Sequence, residues 1–189
     1  SAAARAMGMS EDIILDVIQT LHSAPGRMES IQNELDIDII VDYAHSTESL
    51  ENFFTAIKPS VRGRLIVVFG ACGERDSKQR PLMGAVLEKN ADIVIATNDD
   101  PYSEDPLTIA AQLLFGIQEK KDGETVLTIL DRSEAIAKAL SIAQKDDTVC
   151  ILGKGAEQWQ VFKTKKIPWD DREVTRNLLI ELMATRVQK

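Results

Sequence analysis

The sequence predicts an α/β fold, with a mostly parallel sheet covered by helices on both faces. Three observations predict it. Runs such as "RLIVVFGA" (64–71) and "DIVIATN" (92–98) are nearly continuous in apolar residues, too much so for strands with one wet face. Amphipathic runs of helical period separate them, and two of these open on a proline, Pro81 and Pro106. From Arg27 onward strand and helix alternate, the order produced when crossover helices join parallel strands.

The first element is a helix with Ser10 as its N-cap and Ile13, Ile14, Val17, Ile18 and Leu21 along one stripe; Pro25-Gly26 ends it. Nothing earlier in the chain supplies a partner for that stripe, so residues 1–26 read as the tail of an upstream domain. Next come a strand at 37–44 and a helix at 47–58, capped near Ser46 or Thr47, with Leu50, Phe53, Phe54 and Ile57 inward. The strand at 64–71 precedes a helix at 81–91, the strand at 92–98 a helix at 106–117, and a strand at 125–130 a helix at 131–144. A strand at 147–153 and a helix at about 171–186 complete the order. Right-handed crossovers turn this into a Rossmann-like layer over 27–189, in which ligands sit beyond the carboxyl ends of the strands.

Bulk properties narrow the function. At 189 residues, 44% hydrophobic and 28% charged, the composition is that of a soluble globular protein. A formal net charge of -8 argues against non-specific nucleic-acid binding, yet leaves room for a nucleotide site served by a few local cations. No apolar run approaches the ~20 residues of a membrane span, and no signal peptide is visible, so a cytoplasmic setting without membrane partners is the default. Cys72 and Cys150 sit in or beside strand-like runs and read as buried free thiols; no metal site is expected.

Four polar clusters follow four of the strands: Asp42 with His45, Gly70 to Arg80, Asn98 to Asp105, and Gly153, Lys154, Gly155 and Glu157. Each has a bland reading. Asp42 caps a turn, His45 is a loop histidine, "DDP" and "EDP" are Asp-Pro turns, and "GKGAE" is a glycine-rich loop. No G-x-x-x-x-G-K-[ST] phosphate loop occurs anywhere. Parallel strands nevertheless deliver all four clusters to one edge. Cations, carboxylates and glycines together there suit a zwitterionic or phosphorylated small molecule.

The ordered set "PGRME" (25–29), "VDYAHSTESLENFF" (41–54), "VVFGACGERDSKQRPLMG" (67–84), "ATNDDPYSEDP" (96–106), "DRSEAIAKAL" (131–140), "GKGAEQWQ" (153–160) and "DDREV" (170–174) resembles the C-terminal domain of the Mur ligase family. Within that family it is most similar to the branch that adds the third amino acid to UDP-N-acetylmuramoyl-dipeptide. The resemblance implies ATP-dependent amide formation in peptidoglycan precursor synthesis, with Mg2+. A substrate carboxylate becomes an acyl phosphate, and the amine of a diamino acid attacks it. It implies that residues 1–26 end the family's central ATPase domain. It implies nucleotide contacts at Arg27, Asp42 and His45. Arg75 is expected to grip the amino acid's carboxylate, with Asp99, Asp100, Tyr102, Gly153 and Glu157 as further contacts to that amino acid.

Two positions depart from the pattern. The diaminopimelate-type motif D-N-P-R is Asp99-Asp100-Pro101-Tyr102 here, without the arginine that pairs with the substrate's distal carboxylate. The histidine of G-K-G-H-E is Ala156. L-Lysine therefore fits better than diaminopimelate, with L-ornithine the near alternative, unless Arg80 or Lys78 swings in to replace the missing cation. The family's phosphate loop, metal-binding carboxylate and carbamylated lysine lie upstream, so no catalytic residue is assigned, and the chain alone is expected to hold no nucleotide firmly and to be inactive. The alternatives are a non-catalytic stand-alone binding domain, or the same lobe from a folylpolyglutamate- or cyanophycin-type ligase.

Overall fold

The computed structural model describes residues 2–20 and 24–187. Two helices open it, α1 (Ala2–Ala6) and α2 (Glu11–Thr20). The remainder runs β1 (Glu29–Ser30), β2 (Asp38–Asp42), α3 (Thr47–Ile57), β3 (Leu65–Phe69), α4 (Gln79–Asn90), β4 (Ile93–Ala96), α5 (Pro106–Leu114), β5 (Val126–Thr128), α6 (Arg132–Ile142), β6 (Thr148–Leu152), β7 (Trp159–Phe162), β8 (Lys165–Pro168) and α7 (Asp171–Val187). The helix α1, the short edge strand β1 and the β7–β8 hairpin are additions to the elements read from the sequence.

The main sheet has the order β1-β2-β6-β3-β4-β5, with every neighbour parallel except the edge pair β1–β2. Alternate residues of each strand divide between two cores. Val67, Phe69, Cys150 and Leu152 face α3, α4 and α5, meeting Leu50, Phe53, Phe54, Leu87 and Leu113. Ile66, Val68, Val149 and Ile151 face α6 and α7, meeting Ala135, Ile136, Ala139, Leu140 and Leu179. Burial on both faces is why these strands read as unbroken apolar runs.

The helix starts follow local chemistry. Ser46 caps α3 through a reciprocal capping box with Ser49. Asp105 caps α5 ahead of Pro106, and Asp131 caps α6 by accepting from the Glu134 N–H. Helix α4 begins two residues before Pro81, which then sits in the first turn. In α2 only Ile14 of the apolar stripe is buried; Ile13, Val17 and Ile18 are exposed, and Leu21 lies outside the described residues. No helix among the described residues is long and apolar enough to cross a membrane.

Register fixes where the loops emerge. Asp42 pairs with Leu152, Leu152 with Phe69, Phe69 with Ala96, and Ala96 with Thr128. These strands therefore end level, and the segments after β2, β3, β4 and β6 leave side by side at one edge.

Candidate functional site

At that edge lies a cavity of about 320 Å³. Tyr43 and His45 line it from the loop after β2, and Cys72 and Arg75 from the loop after β3. Asp99, Asp100 and Tyr102 follow β4, while Gly153 and Glu157 follow β6. The cavity thus gathers all the site residues read from the sequence except Arg27 and Asp42.

One wall is acidic and organised around a buried lysine. Lys154, with no exposed side-chain surface, donates from Nζ to Asp99 Oδ1 at 3.3 Å, Asp100 Oδ1 at 3.0 Å and Glu157 Oε2 at 3.0 Å. Burial opposes the Lys154 charge, but the surrounding carboxylates outweigh it and hold the ammonium above its ordinary value. Burial pushes the Asp99 carboxyl up, with Lys154 and Arg132 acting against it and Asp100 and Glu157 reinforcing it. Three carboxylates share one ammonium, so the wall keeps a surplus of negative charge. The second oxygens of Asp99 and Asp100 accept no hydrogen bond among the described residues, although both residues line the cavity.

Behind this wall Arg132 is fully buried and bonds both oxygens of Asp171, at 2.8 and 2.7 Å. It also donates to the carbonyls of Asn98 at 3.2 Å and Leu152 at 2.9 Å, tying the ends of β4 and β6 together just before the acidic residues and Lys154.

The cavity also carries Arg75, on a loop locked to its neighbour. The Gly73 N–H donates to Asp100 O at 2.8 Å, and a Cβ on Gly73 would lie 2.1 Å from Pro101 O, so only glycine permits this approach. Glu74 and Tyr102, with φ of 54° and 48°, take left-handed backbone without being glycine. The Glu74 N–H donates to the Glu104 carboxylate, and Ser103 returns N–H and Oγ–H bonds to Glu74 Oε1 at 3.2 and 2.6 Å. Arg80 completes the lock, bonding both Glu104 oxygens at 2.7 and 2.9 Å, Gln112 at 2.6 Å and Cys72 O at 3.1 Å. Arg80 lines the cavity but has 1% exposure and is held by these partners, and Lys78 does not line it.

The hairpin β7–β8 braces the far side. Gln160 Nε2 donates to Asp99 O at 2.9 Å and the Val161 N–H to Asp100 Oδ1 at 2.8 Å. Tyr102 and β7 exchange backbone bonds, from Tyr102 N to Val161 O at 3.3 Å and from Lys163 N to Tyr102 O at 2.7 Å.

The residues expected to contact the nucleotide form an adjoining patch. The Arg27 guanidinium lies over the Tyr43 ring, 4.4 Å from its centroid. Asp42 is buried, accepting from the Ala44 N–H at 2.8 Å and the Met28 N–H at 2.7 Å, which shapes the turn that presents Arg27. His45 Nδ1 lies 2.8 Å from Tyr43 O. The Arg27 turn presses on the glycine loop: a Cβ on Gly26 would sit 2.0 Å from the Ala156 nitrogen. Tyr43 and His45 line the cavity as well, so the patch and the cavity are continuous.

Sequence reasoning left Lys154, Arg132, Gln160 and Tyr43 without roles. Lys154 stood between glycines, and the loop was read for their flexibility rather than for its cation. Arg132 was read as part of a helix start. Cys72 and Cys150 are free; burial and the two aspartates push the Cys72 thiol up to about 11, so it stays protonated. Where Cys72, Asp99 and Asp100 converge closely enough to suit a cation, the Lys154 ammonium is already in place.

Level parallel strands, glycine-assisted loops and a charged cavity define an α/β ligand-binding lobe. Residues 26–155 match the family described as Mur ligase, glutamate ligase domain, and the chain belongs to that family. It is 39% identical over 181 residues to the UDP-N-acetylmuramoyl-L-alanyl-D-glutamate--2,6-diaminopimelate ligase of Clostridioides difficile, covering 96% of this chain and 37% of that protein. The enzyme of the same name from Caldanaerobacter subterraneus subsp. tengcongensis is 46% identical over 156 residues, covering 82% and 32%. A solved structure of a ligase bearing that name superposes with a TM-score of 0.79 at 35% identity, over 96% of this chain and 37% of that one. The chain thus spans about a third of the length of these relatives.

Proposed function

We propose that this chain is the amino-acid-selecting lobe of an ATP-dependent ligase that adds a diamino acid to UDP-N-acetylmuramoyl-L-alanyl-D-glutamate. Residues 27–189 are its C-terminal domain and residues 1–26 the end of its ATPase domain. The observation that carries the reading is one cavity lined both by an arginine, Arg75, and by the carboxylates of Asp99, Asp100 and Glu157. A diamino acid has the matching ends. Arg75 takes the α-carboxylate with a fork of donors. The outward oxygens of Asp99, Asp100 and Glu157 take the far ammonium. Held at both ends, the α-amine is directed at the acyl phosphate formed from the dipeptide's carboxylate, and the lobe helps to keep water from that intermediate.

The nucleotide patch fits the same reading. Arg27 makes no ion pair among the described residues, and its stacking on Tyr43 holds the guanidinium open for phosphate or base. Each Asp42 oxygen accepts one backbone N–H and retains a lone pair for a ribose hydroxyl. ATP with Mg2+ supplies the phosphoryl group, and the work would be done in the cytoplasm.

We infer L-lysine as the diamino acid, with L-ornithine as the shorter analogue. A second carboxylate would need a cation beside Tyr102, and Arg80 is held by Glu104 and Gln112. Diaminopimelate is the second reading, favoured by the names of the relatives. The test is an amino-acid panel with the full-length ligase, scored by phosphate release. Release driven by lysine or ornithine above diaminopimelate supports the first reading, and the reverse order supports the second. Release with none of them overturns the assignment.

A further inference from the structure

We propose that Lys154 is a positioning residue that sets the charge of the amino-acid pocket: its ammonium holds the inner oxygens of Asp99, Asp100 and Glu157 and leaves the outer ones to receive the far ammonium of the substrate. The inference rests on the proposed diamino-acid reading. Its ground is the geometry of the wall. A fully buried ammonium lies 3.0–3.3 Å from three carboxylates on two different loops. Asp100 also accepts the Val161 N–H on the oxygen that Lys154 holds, so only its second oxygen is open. An ordinary structural lysine would saturate one or two acids. Here the acids outnumber the cation, and those with unused lone pairs line the cavity.

The groups around Asp99 define what removing the ammonium does. Lys154 and Arg132 favour its charge, and Asp100 and Glu157 oppose it. Arg132 is itself committed to Asp171. Arg75, Arg80, Asp76, His45, Cys72, Tyr43 and Tyr102 complete the charged and titratable lining. Without Lys154, the nearest compensation for a wholly buried carboxylate is gone, and Asp99 takes up a proton more readily than in the parent. The pocket then loses negative charge at lower pH and regains it as pH rises through the raised Asp99 value. The affinity for a far ammonium follows that charge.

The experiment is K154M and K154R in the full-length ligase, with KM for the diamino acid and for ATP measured against pH. The ratio of variant to parent KM cancels the substrate's own ionisation. For K154M the amino-acid ratio is expected to fall about tenfold as pH rises through the Asp99 titration, while the ATP ratio stays within about twofold. K154R, which keeps the charge, is expected to show no slope. A ratio independent of pH, or matched rises for both substrates, overturns the proposal and leaves Lys154 a packing residue. If K154M fails to fold, the Nζ resonance of Lys154 in the unsubstituted ligase decides. It is expected to shift on saturation with L-lysine and not with L-norleucine, which lacks the far ammonium; equal shifts overturn the proposal. A ligase that uses no diamino acid removes the underlying reading, whereas one that does, with a pH-independent K154M ratio, removes only this inference.

Discussion

On the proposed reading, Tyr102 stands where a second substrate carboxylate would need a cation. Its backbone is left-handed, and its neighbours Asp99 and Asp100 are acidic. Tyr102→Arg is expected to move the kcat/KM ratio of lysine over diaminopimelate toward diaminopimelate, and further when Asp100→Asn accompanies it, because the arginine then supplies a cation while one repelling charge is removed. Steady-state kinetics with both amino acids check this; an unchanged ratio in the double variant would place the distal contact elsewhere. At this scale the sequence was legible in residue types and not in partnerships. Arg75, the two aspartates and Glu157 stood out as members of polar clusters after strands, and the family resemblance supplied their expected roles. That Lys154 already occupies the aspartates, and that Arg80 is bound to Glu104, depends on contacts across 55 and 24 residues of chain, which no local pattern encodes.

Among the elements, the strands were readable because both faces are buried, so their apolar runs are unbroken. The β7–β8 hairpin was not. Its turn is made at Lys163 with a φ of 54°, where a glycine or asparagine usually signals the conformation, and its β8 residues are exposed throughout. Yet this hairpin braces the 98–102 loop. Gln160→Ala removes the bond to Asp99 O and is expected to raise KM for the amino acid roughly 5- to 30-fold, a loss of about 1–2 kcal/mol, with KM for ATP unchanged. Parallel shifts in both would show general loosening instead. At the other end of the sheet Asp147 joins the starts of β3 and β6 to the end of α6. It accepts from the Arg64 N–H at 2.8 Å, the Gln144 N–H at 2.8 Å and the Arg64 guanidinium at 2.6 Å. Burial pushes its carboxyl up, but Arg64 and the two N–H donors outweigh burial and hold it below the usual carboxylate range. A depressed value contributes stability that is present above the unfolded value and lost as pH falls through the folded one. Asp147→Ala is therefore expected to cost about 2–3 kcal/mol at neutral pH and much less below about pH 3. Denaturant titration at the two pH values measures the difference, and an equal cost at both would contradict the assignment.

For the whole molecule, the proposed function puts selection in this lobe and the phosphate chemistry outside it. No phosphate loop occurs in the sequence, and the apolar stripe of α2 is largely exposed. The 189-residue chain alone is therefore expected to release no phosphate from ATP above background; release abolished by Asp42→Ala would contradict the division of labour. The stripe was legible as helix, while what covers it is not encoded in these residues. The central claim is that the cavity at the level strand ends holds the amino acid and that the Tyr43 side holds the nucleotide. Arg75→Ala in the full-length ligase tests it most directly, because Arg75 lines the cavity and Arg27 and Asp42 do not. Loss of a charge-assisted contact of about 2–4 kcal/mol is expected to raise KM for the amino acid roughly 30- to 1,000-fold, with KM for ATP within about twofold of the parent. Equal increases for both substrates would contradict the claim.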